Sequence, residues 1–547
     1  MSQLKPRDSG RPAPGSDLLT TRLRQAILIC AAGAFAVALL VLLRRIRFGL
    51  HAAYFVDEAV PILAARVLLS GGRLYQDFVD NHGPLIFGLV QGFTAVMGSA
   101  EPNRLRVIPA LFGIVCIACV VAGTPRSLAA RLVGGAAFCG LLAAAWLPQA
   151  MYFLNFYAPG GVLASLILAV FVVPAWRRQA TARRGFISGI ASAALFADAY
   201  AYGPACLLFL LSGSLACIRH EQRRAIAWHL AGAGVGAALL LIYLALWGSV
   251  LGYLAFHIVE SQFFYAPYIG FSWNHFFASL APAWQPGTTA SSLAVLYCLG
   301  GTLLFAARAC WASRHSHSIG LRLCEILLAA CAVLSLNMRG SPSFRDASLA
   351  IAAITFLALA LGEIAATCST RQLSAIVALT VLLDLASEMV MRGAIYSPFN
   401  LTRTAFLKVI WPLPGPLDAP FIRRIQAGVQ PQEKILALVY QPQLYINADR
   451  LPISGFYAYF PWNADYAAAP VFGLKADICA TLKASEPPLI AYDDSFRPFR
   501  DPHDYAACVF SLIGRDYVRD PIFPQYFWRR DRATKQGFPP APPSKPP

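Results

Sequence analysis

Charge is what this sequence has least of. Only 13% of its 547 residues are Asp, Glu, Lys or Arg, while 57% are hydrophobic and the mean hydropathy is +0.55. Soluble domains carry about a quarter charged residues, so a soluble globular protein is excluded. Carboxylates are the scarcer sign, 28 Asp and Glu against 45 Lys and Arg. The resulting net charge of +17 would suit a nucleic-acid partner. However, the Arg residues lie in short clusters between apolar runs, where the positive-inside rule puts them, and nucleic-acid binding is set aside. The chain also lacks a phosphate-binding Gly-rich loop, a His-Glu-x-x-His, a nucleophile elbow and any His/Cys set at metal-ligand spacing. It shows no internal repeat and no pair of matching halves of the kind many transporters have.

What is plentiful is apolar sequence. Runs that reach the roughly 17–25 residues needed to cross a bilayer stand near 26–43, 105–123, 131–148, 159–175, 185–199, 203–218, 228–250, 290–309, 322–337, 346–366 and 372–391. Residues 84–97 are apolar as well but short for a span, and read as a re-entrant or interfacial helix. Charge parity separates the two possibilities. If 84–97 does not cross and the N-terminus is cytoplasmic, the clusters Arg126/Arg131, Arg177/Arg178/Arg183/Arg184, Arg219/Arg223/Arg224, Arg308/Arg314/Arg322 and Arg371 all fall inside. Loops 149–158 and 251–289, which contain no Lys or Arg, then fall outside. A crossing at 84–97 would invert every later loop. Arg44, Arg45 and Arg47, at the outer end of the first run, are the exception to the rule. Because that run is long and is followed by Arg44-Arg45 rather than a small-residue cleavage site, it reads as an uncleaved anchor.

The expected fold is therefore a mainly α polytopic membrane protein of about 11 transmembrane helices with a small C-terminal extracytoplasmic α/β domain, in the plasma (inner) membrane and among its lipids. Residues 1–25 form a cytoplasmic tail and 26–392 the transmembrane domain, with a first outer loop at 44–104 and another at 251–289. Residues 393–537 form the α/β domain, and 538–547 a disordered Pro-rich tail. The β-like runs 435–440 and 488–492, bounded by turn residues, supply strands to that domain. Loop 251–289 is rich in aromatics, which read either as interface anchors or as a lid over a lipid-facing site. Of 13 Cys, only Cys479 and Cys508 lie in the polar C-terminal region, where an oxidising compartment would permit a disulfide. Cys116 and Cys119 lie inside an apolar run and read as packed thiols.

Some of the carboxylates outside the runs lie close together in the first loop. Asp57, Glu58, Asp77 and Asp80, with His82, fall within 57–82. A carboxylate in such a place can serve as general base toward an acceptor hydroxyl or amine if geometry brings the two within hydrogen-bond reach. Otherwise these are solvated loop charges.

The string Asp57-Glu58-Ala59-Val60-Pro61-Ile62-Leu63-Ala64-Ala65-Arg66, then Leu69-Ser70-Gly71-Gly72-Arg73-Leu74-Tyr75-Gln76-Asp77-Phe78, then Asp80-Asn81-His82-Gly83-Pro84-Leu85, resembles the first-loop signature of GT-C glycosyltransferases. It is most similar to the branch of protein O-mannosyltransferases, the lipid A aminoarabinose transferase and Rgt-type lipopolysaccharide core transferases. Leu444 to Pro452 is similar to that family's Tyr-x-x-x-x-Arg-x-Pro turn. The resemblance implies an inverting glycosyltransferase that moves a hexosyl or pentosyl group from a polyprenyl-phosphate donor to an envelope glycan, lipid or protein on the outer face. Asp57 would be the base, with Glu58 beside it in the catalytic pair. Asp80, His82 and Tyr75 would bind substrate, and Arg339 or Arg345 would clamp the departing phosphate. No cofactor is implied; a divalent metal is compatible with the pattern but not indicated by it. The chain departs from the family where Lys is replaced by His82, where a His-Tyr pair is replaced by Phe344-Arg345-Asp346, and where Asn155 lacks a following Glu. The competing reading is a transporter or flippase for a lipid or small solute, with Asp198, Glu325, Glu363, Asp384 and Glu388 as its membrane carboxylates.

Overall fold

The structure is a computed structural model that describes residues 14–50, 56–146, 151, 154, 156–268, 289–312, 319–336, 346–396, 419–438, 440–453, 455–492 and 500–535. The described part of each of the eleven apolar runs is mainly helical. Nine helices among the described residues are long and apolar enough to cross a bilayer. The other two runs form Ala182–Asp198, 17 residues, and Ile319–Leu334, 16 residues. At about 1.5 Å per residue these come out several ångströms shorter than a ~30 Å hydrocarbon core. Helix Pro84–Met97 has 14 residues, starts with Pro at its first turn and ends on Gly98 in the left-handed conformation. Those two residues punctuate it at both ends, so it stays short.

Two hydrophobic cores divide the molecule. One lies in the helical bundle, where helix Ala347–Thr367 is buried along most of its length between Leu128–Trp146, Ala158–Ile167 and Thr289–Ala312. The second is shared by three segments far apart in sequence: first-loop residues such as Leu63, Phe78 and Phe87, helix Tyr253–Tyr265, and the C-terminal region from Phe421 to Ala533. The first loop and the C-terminal region thus bury their apolar side chains against each other.

Inside the C-terminal region, four short strands form one sheet: β1 (Leu436–Ala437), β2 (Leu489–Ala491), β3 (Tyr517–Arg519) and β4 (Tyr526–Arg529). The order is β1-β2-β4-β3, with β1 and β2 parallel and the other pairings antiparallel. The first two coincide with the β-like runs of the sequence. Cys479 and Cys508 are disulfide-bonded and join helices Ile478–Ser485 and Ala507–Asp516.

Ion pairs account for three of the five membrane carboxylates that a transport reading would use. Arg45, the misplaced cation of the first helix, pairs with Glu388 on Thr370–Tyr396. Arg177 pairs with Glu363, and Arg219 with Glu325 at 2.6 Å. Glu325, Glu363 and Glu388 are therefore tied to helix-end arginines, as expected for carboxylates kept in an apolar setting by a partner. This removes three of the carboxylates that a transport pathway would use.

Candidate active site

The site grows from the end of helix Ala59–Leu69. Gly71, with φ of +92°, reverses the chain there in a conformation that an L side chain would resist. The turn that follows is closed by the Asp77 carboxylate, which accepts the Arg73 amide at 2.9 Å. It is also closed by Tyr75, which sits at φ +63° with its amide donating to the Phe78 carbonyl at 2.7 Å. The Tyr75 side chain is buried, and its hydroxyl donates to the His82 carbonyl at 2.7 Å. Tyr75 therefore fixes the following turn from beneath. Gly83 lies against the end of helix Ala182–Asp198, where a Cβ would come within 2.2 Å of the Ala197 carbonyl oxygen. The Asn-His-Gly-Pro run needs glycine for this close approach.

Asp80 is nearly inaccessible, and both of its oxygens are engaged. Oδ1 accepts from the His82 amide at 2.7 Å and lies 2.6 Å from His82 Nδ1; Oδ2 accepts from the Tyr457 hydroxyl at 2.6 Å. Burial alone would raise the carboxyl. The charge of His82 and the bonds from His82 and Tyr457 outweigh it and hold Asp80 below its ordinary value. The His82 ring stacks on Phe156 with centroids 3.8 Å apart.

Asp57 and Glu58 are adjacent in sequence but occupy different surroundings. Asp57 is half-buried at the seam between the first loop and the C-terminal region, where Oδ1 accepts from the Tyr440 hydroxyl at 2.6 Å. Burial, then the neighbouring Asp57 charge, pushes the Tyr440 phenol well above its ordinary value, so it stays a donor. Glu58 has no exposure at all: Arg106 Nε and Nη2 grip its two oxygens at 2.8 and 2.7 Å. That bidentate pair is a fixed strut between the first loop and the start of helix Val107–Gly123. Arg339, Arg345 and Asn155 lie outside the described residues, so the expected phosphate clamp has no described geometry.

Several participants escaped the sequence reading. Tyr440 and Tyr457 belong to the C-terminal region, and only folding brings them to Asp57 and Asp80. Arg106 sits at the mouth of an apolar run, where it looks like an interfacial cation. His257 and Ser261 lie in the aromatic loop on helix Tyr253–Tyr265, and both reach the Asn81 carbonyl, at 2.9 and 3.0 Å. Their i, i+4 spacing in a carboxylate-poor loop was the available signal. That helix is packed into the second core, while residues 269–288 of the proposed lid lie outside the described residues. Tyr445 and Arg450 of the Tyr-x-x-x-x-Arg-x-Pro turn are braces: Arg450 is buried and donates to carbonyls including Val429 and Asp449.

Between His82, Phe156, Tyr200 and His257 lies a small cavity of about 60 Å³. Among the described residues, no group of three or more His, Cys, Asp or Glu side chains comes together as a metal site.

No family model matches this sequence, and no curated protein matches it. Among solved structures, the chain is similar to apo ArnT from Cupriavidus metallidurans, at 13% identity and a TM-score of 0.46 over 91% of this chain and 97% of that one. It is also similar to ArnT from the same organism bound to undecaprenyl phosphate, at 12% identity and a TM-score of 0.41 over 94% and 98%. A third is the Archaeoglobus fulgidus oligosaccharyltransferase in complex with Zn and sulfate, at 12% identity and a TM-score of 0.44 over 92% of this chain and 74% of that one.

Proposed function

We propose that this chain is an inverting glycosyltransferase of the plasma membrane. It moves a sugar from a polyprenyl-phosphate donor to a glycan, lipid or protein acceptor on the outer face. One observation carries the reading: the ordered first-loop motif folds into a single cluster in which Asp57 and Asp80 are each held by a tyrosine of the C-terminal region. The outward orientation is supported by the Arg-free loops 149–158 and 251–289 and by the Cys479–Cys508 disulfide.

In this mechanism Asp57 takes the proton of the acceptor hydroxyl or amine as that atom attacks the anomeric carbon. A new bond forms on one face of the sugar. The bond to the lipid phosphate breaks on the other, and the phosphate leaves with the electron pair, which inverts the anomeric centre. Tyr440 orients the base. Asp80 fixes the His82 ring through Nδ1, and His82 donates from Nε2 to the departing phosphate when both ring nitrogens carry protons. Arg339 or Arg345 would add the planar fork suited to a phosphate. Glu58 acts through position alone, as the partner that sets Arg106 and hence the approach of the first loop to the bundle.

The test compares envelope glycans and lipids by mass spectrometry in cells with the wild-type gene, without it, and with Asp57→Asn. The expected result is one sugar missing from one acceptor in both altered strains. An unchanged glycan and lipid profile in the deletion strain would sink the transferase reading.

A further inference from the structure

Four arginines from four helix ends gather at one end of the bundle. Arg178 follows helix Val173–Trp176, Arg219 ends Gly203–Arg219, Arg308 lies near the end of Thr289–Ala312, and Arg322 is in the first turn of Ile319–Leu334. Trp176 packs edge-on against Phe305 with centroids 5.0 Å apart, and Ile319–Leu334 packs on both Gly203–Arg219 and Thr289–Ala312. His220 sits among the four. Arg178 Nε donates to its Nδ1 at 3.1 Å. Burial, then the charges of Arg219, Arg178 and Arg322, push this imidazole down to about 4, so it stays neutral and adds no charge of its own. The charges of Arg219, Arg178 and Arg308 also act on Arg322.

The chain compensates this charge only in part. Arg219 takes Glu325 with both arms of its fork, at 2.9 and 2.6 Å. Arg178 and Arg308 form no ion pair among the described residues, and Glu221, exposed in the same turn as His220, forms none either. Neighbouring arginines differ: Arg177 is tied to Glu363, and Arg184 to the Gln179 carbonyl. Like charges this close repel one another, and an anion from outside the chain relieves them.

The surroundings narrow the anion. Arg308 lies over the Trp311 ring at 5.5 Å, and Trp311, Leu303 and Leu321 are exposed on the two helices that carry Arg308 and Arg322. A Trp at the end of a membrane helix sits at headgroup level, and exposed leucines beside it face lipid tails. A guanidinium matches a phosphate with its planar fork, and basic pockets between membrane helices take acidic lipid headgroups. The cluster is remote from the candidate active site. Arg178 precedes helix Ala182–Asp198, whereas Gly83 touches the last two residues of that helix, about 25 Å further on. We propose that Arg178, Arg308 and Arg322 bind the phosphate headgroup of an anionic phospholipid, whose acyl chains lie along the exposed apolar faces of Thr289–Ala312 and Ile319–Leu334. This binding does not depend on the transferase reading.

The test is native mass spectrometry of the full-length chain released from detergent. The probes are phosphatidylglycerol, phosphatidylcholine with the same acyl chains, and inorganic phosphate. Phosphatidylglycerol is retained about tenfold or more tightly than phosphatidylcholine, and inorganic phosphate at matched concentration does not displace it. Arg178→Gln combined with Arg308→Gln weakens phosphatidylglycerol binding by about tenfold or more. Arg126→Gln combined with Arg371→Gln removes the same charge from other helix ends and leaves binding unchanged. A thermal melt checks folding; if the double variant at the cluster does not fold, Arg178→Gln alone, at an exposed position, gives a loss of about fivefold. Equal retention of the two phospholipids, displacement by inorganic phosphate, undiminished binding in a folded variant of the cluster, or an equal loss in the Arg126/Arg371 variant would overturn the proposal.

Discussion

The Tyr440 hydroxyl donates to Asp57 Oδ1 at 2.6 Å, across 383 positions of sequence. This bond carries the C-terminal region into the chemistry assigned to the first loop. A hydrogen bond to a charged partner contributes roughly 1.5–3 kcal/mol. Tyr440→Phe is therefore expected to slow transfer by about tenfold or more, chiefly in kcat. Asp57→Asn should slow it by at least about 10². An in vitro assay with a lipid-linked sugar checks both, and Tyr440→Phe running at the wild-type rate would separate the C-terminal region from catalysis.

Glu58 and Arg106 should behave as a structural couple. Removing one member of a fully buried pair strands the other charge, at a cost of about 3–5 kcal/mol. Glu58→Gln is expected to lower the apparent Tm strongly in detergent. Glu58→Gln combined with Arg106→Met should recover much of that loss, because no uncompensated cation is left. If Glu58→Gln keeps the wild-type Tm but abolishes transfer, Glu58 is a participant in the chemistry and not a strut.

Glu260 provides a pH test. Burial pushes its carboxyl up to about 8, opposed by the bond from Asn463 Nδ2 at 2.6 Å. Between the ordinary glutamate value and about 8, the folded chain holds a proton that the unfolded chain has released. Stability therefore falls as pH rises through that window and levels off above it. Glu260→Gln should flatten this dependence and melt higher than the wild type above pH 8, by an amount on the order of a few kcal/mol. Parallel melting profiles from acid to alkaline pH would contradict this assignment.

The Cys479–Cys508 link closes a loop with a sequence separation of 29, for which chain entropy gives about 3–4 kcal/mol. Cys479→Ser with Cys508→Ser is expected to make the C-terminal region more sensitive to protease while leaving the bundle intact. Mass spectrometry of the unreduced wild type should find these two thiols blocked and the remaining cysteines alkylatable after denaturation. A free Cys479 in protein purified from membranes would count against an extracytoplasmic location.

The membrane architecture was legible in the sequence because bilayer insertion is read from local quantities. Run length and apolar content identified all eleven helices. The short run 84–97 became a short helix because Pro84 and Gly98 bound it. The acidic residues of the first loop were legible as a candidate site through their scarcity and order. Their division of labour was not, since Asp57 and Glu58 look alike until burial separates them. Arg106 reaches Glu58 across 48 positions, and Tyr457 reaches Asp80 across 377; no sequence window spans both partners.

The sequence by itself determined that the chain crosses a membrane many times and that Asp57, Glu58, Asp77 and Asp80 fall close together in the first loop. Hydrophobic transfer and charge placement act on each segment nearly independently. Tertiary structure alone decided that Asp57 is held by a tyrosine at a seam while Glu58 is locked to an arginine. Burial and hydrogen-bond partners arise only when the first loop, the helix Tyr253–Tyr265 and the C-terminal region close on one core.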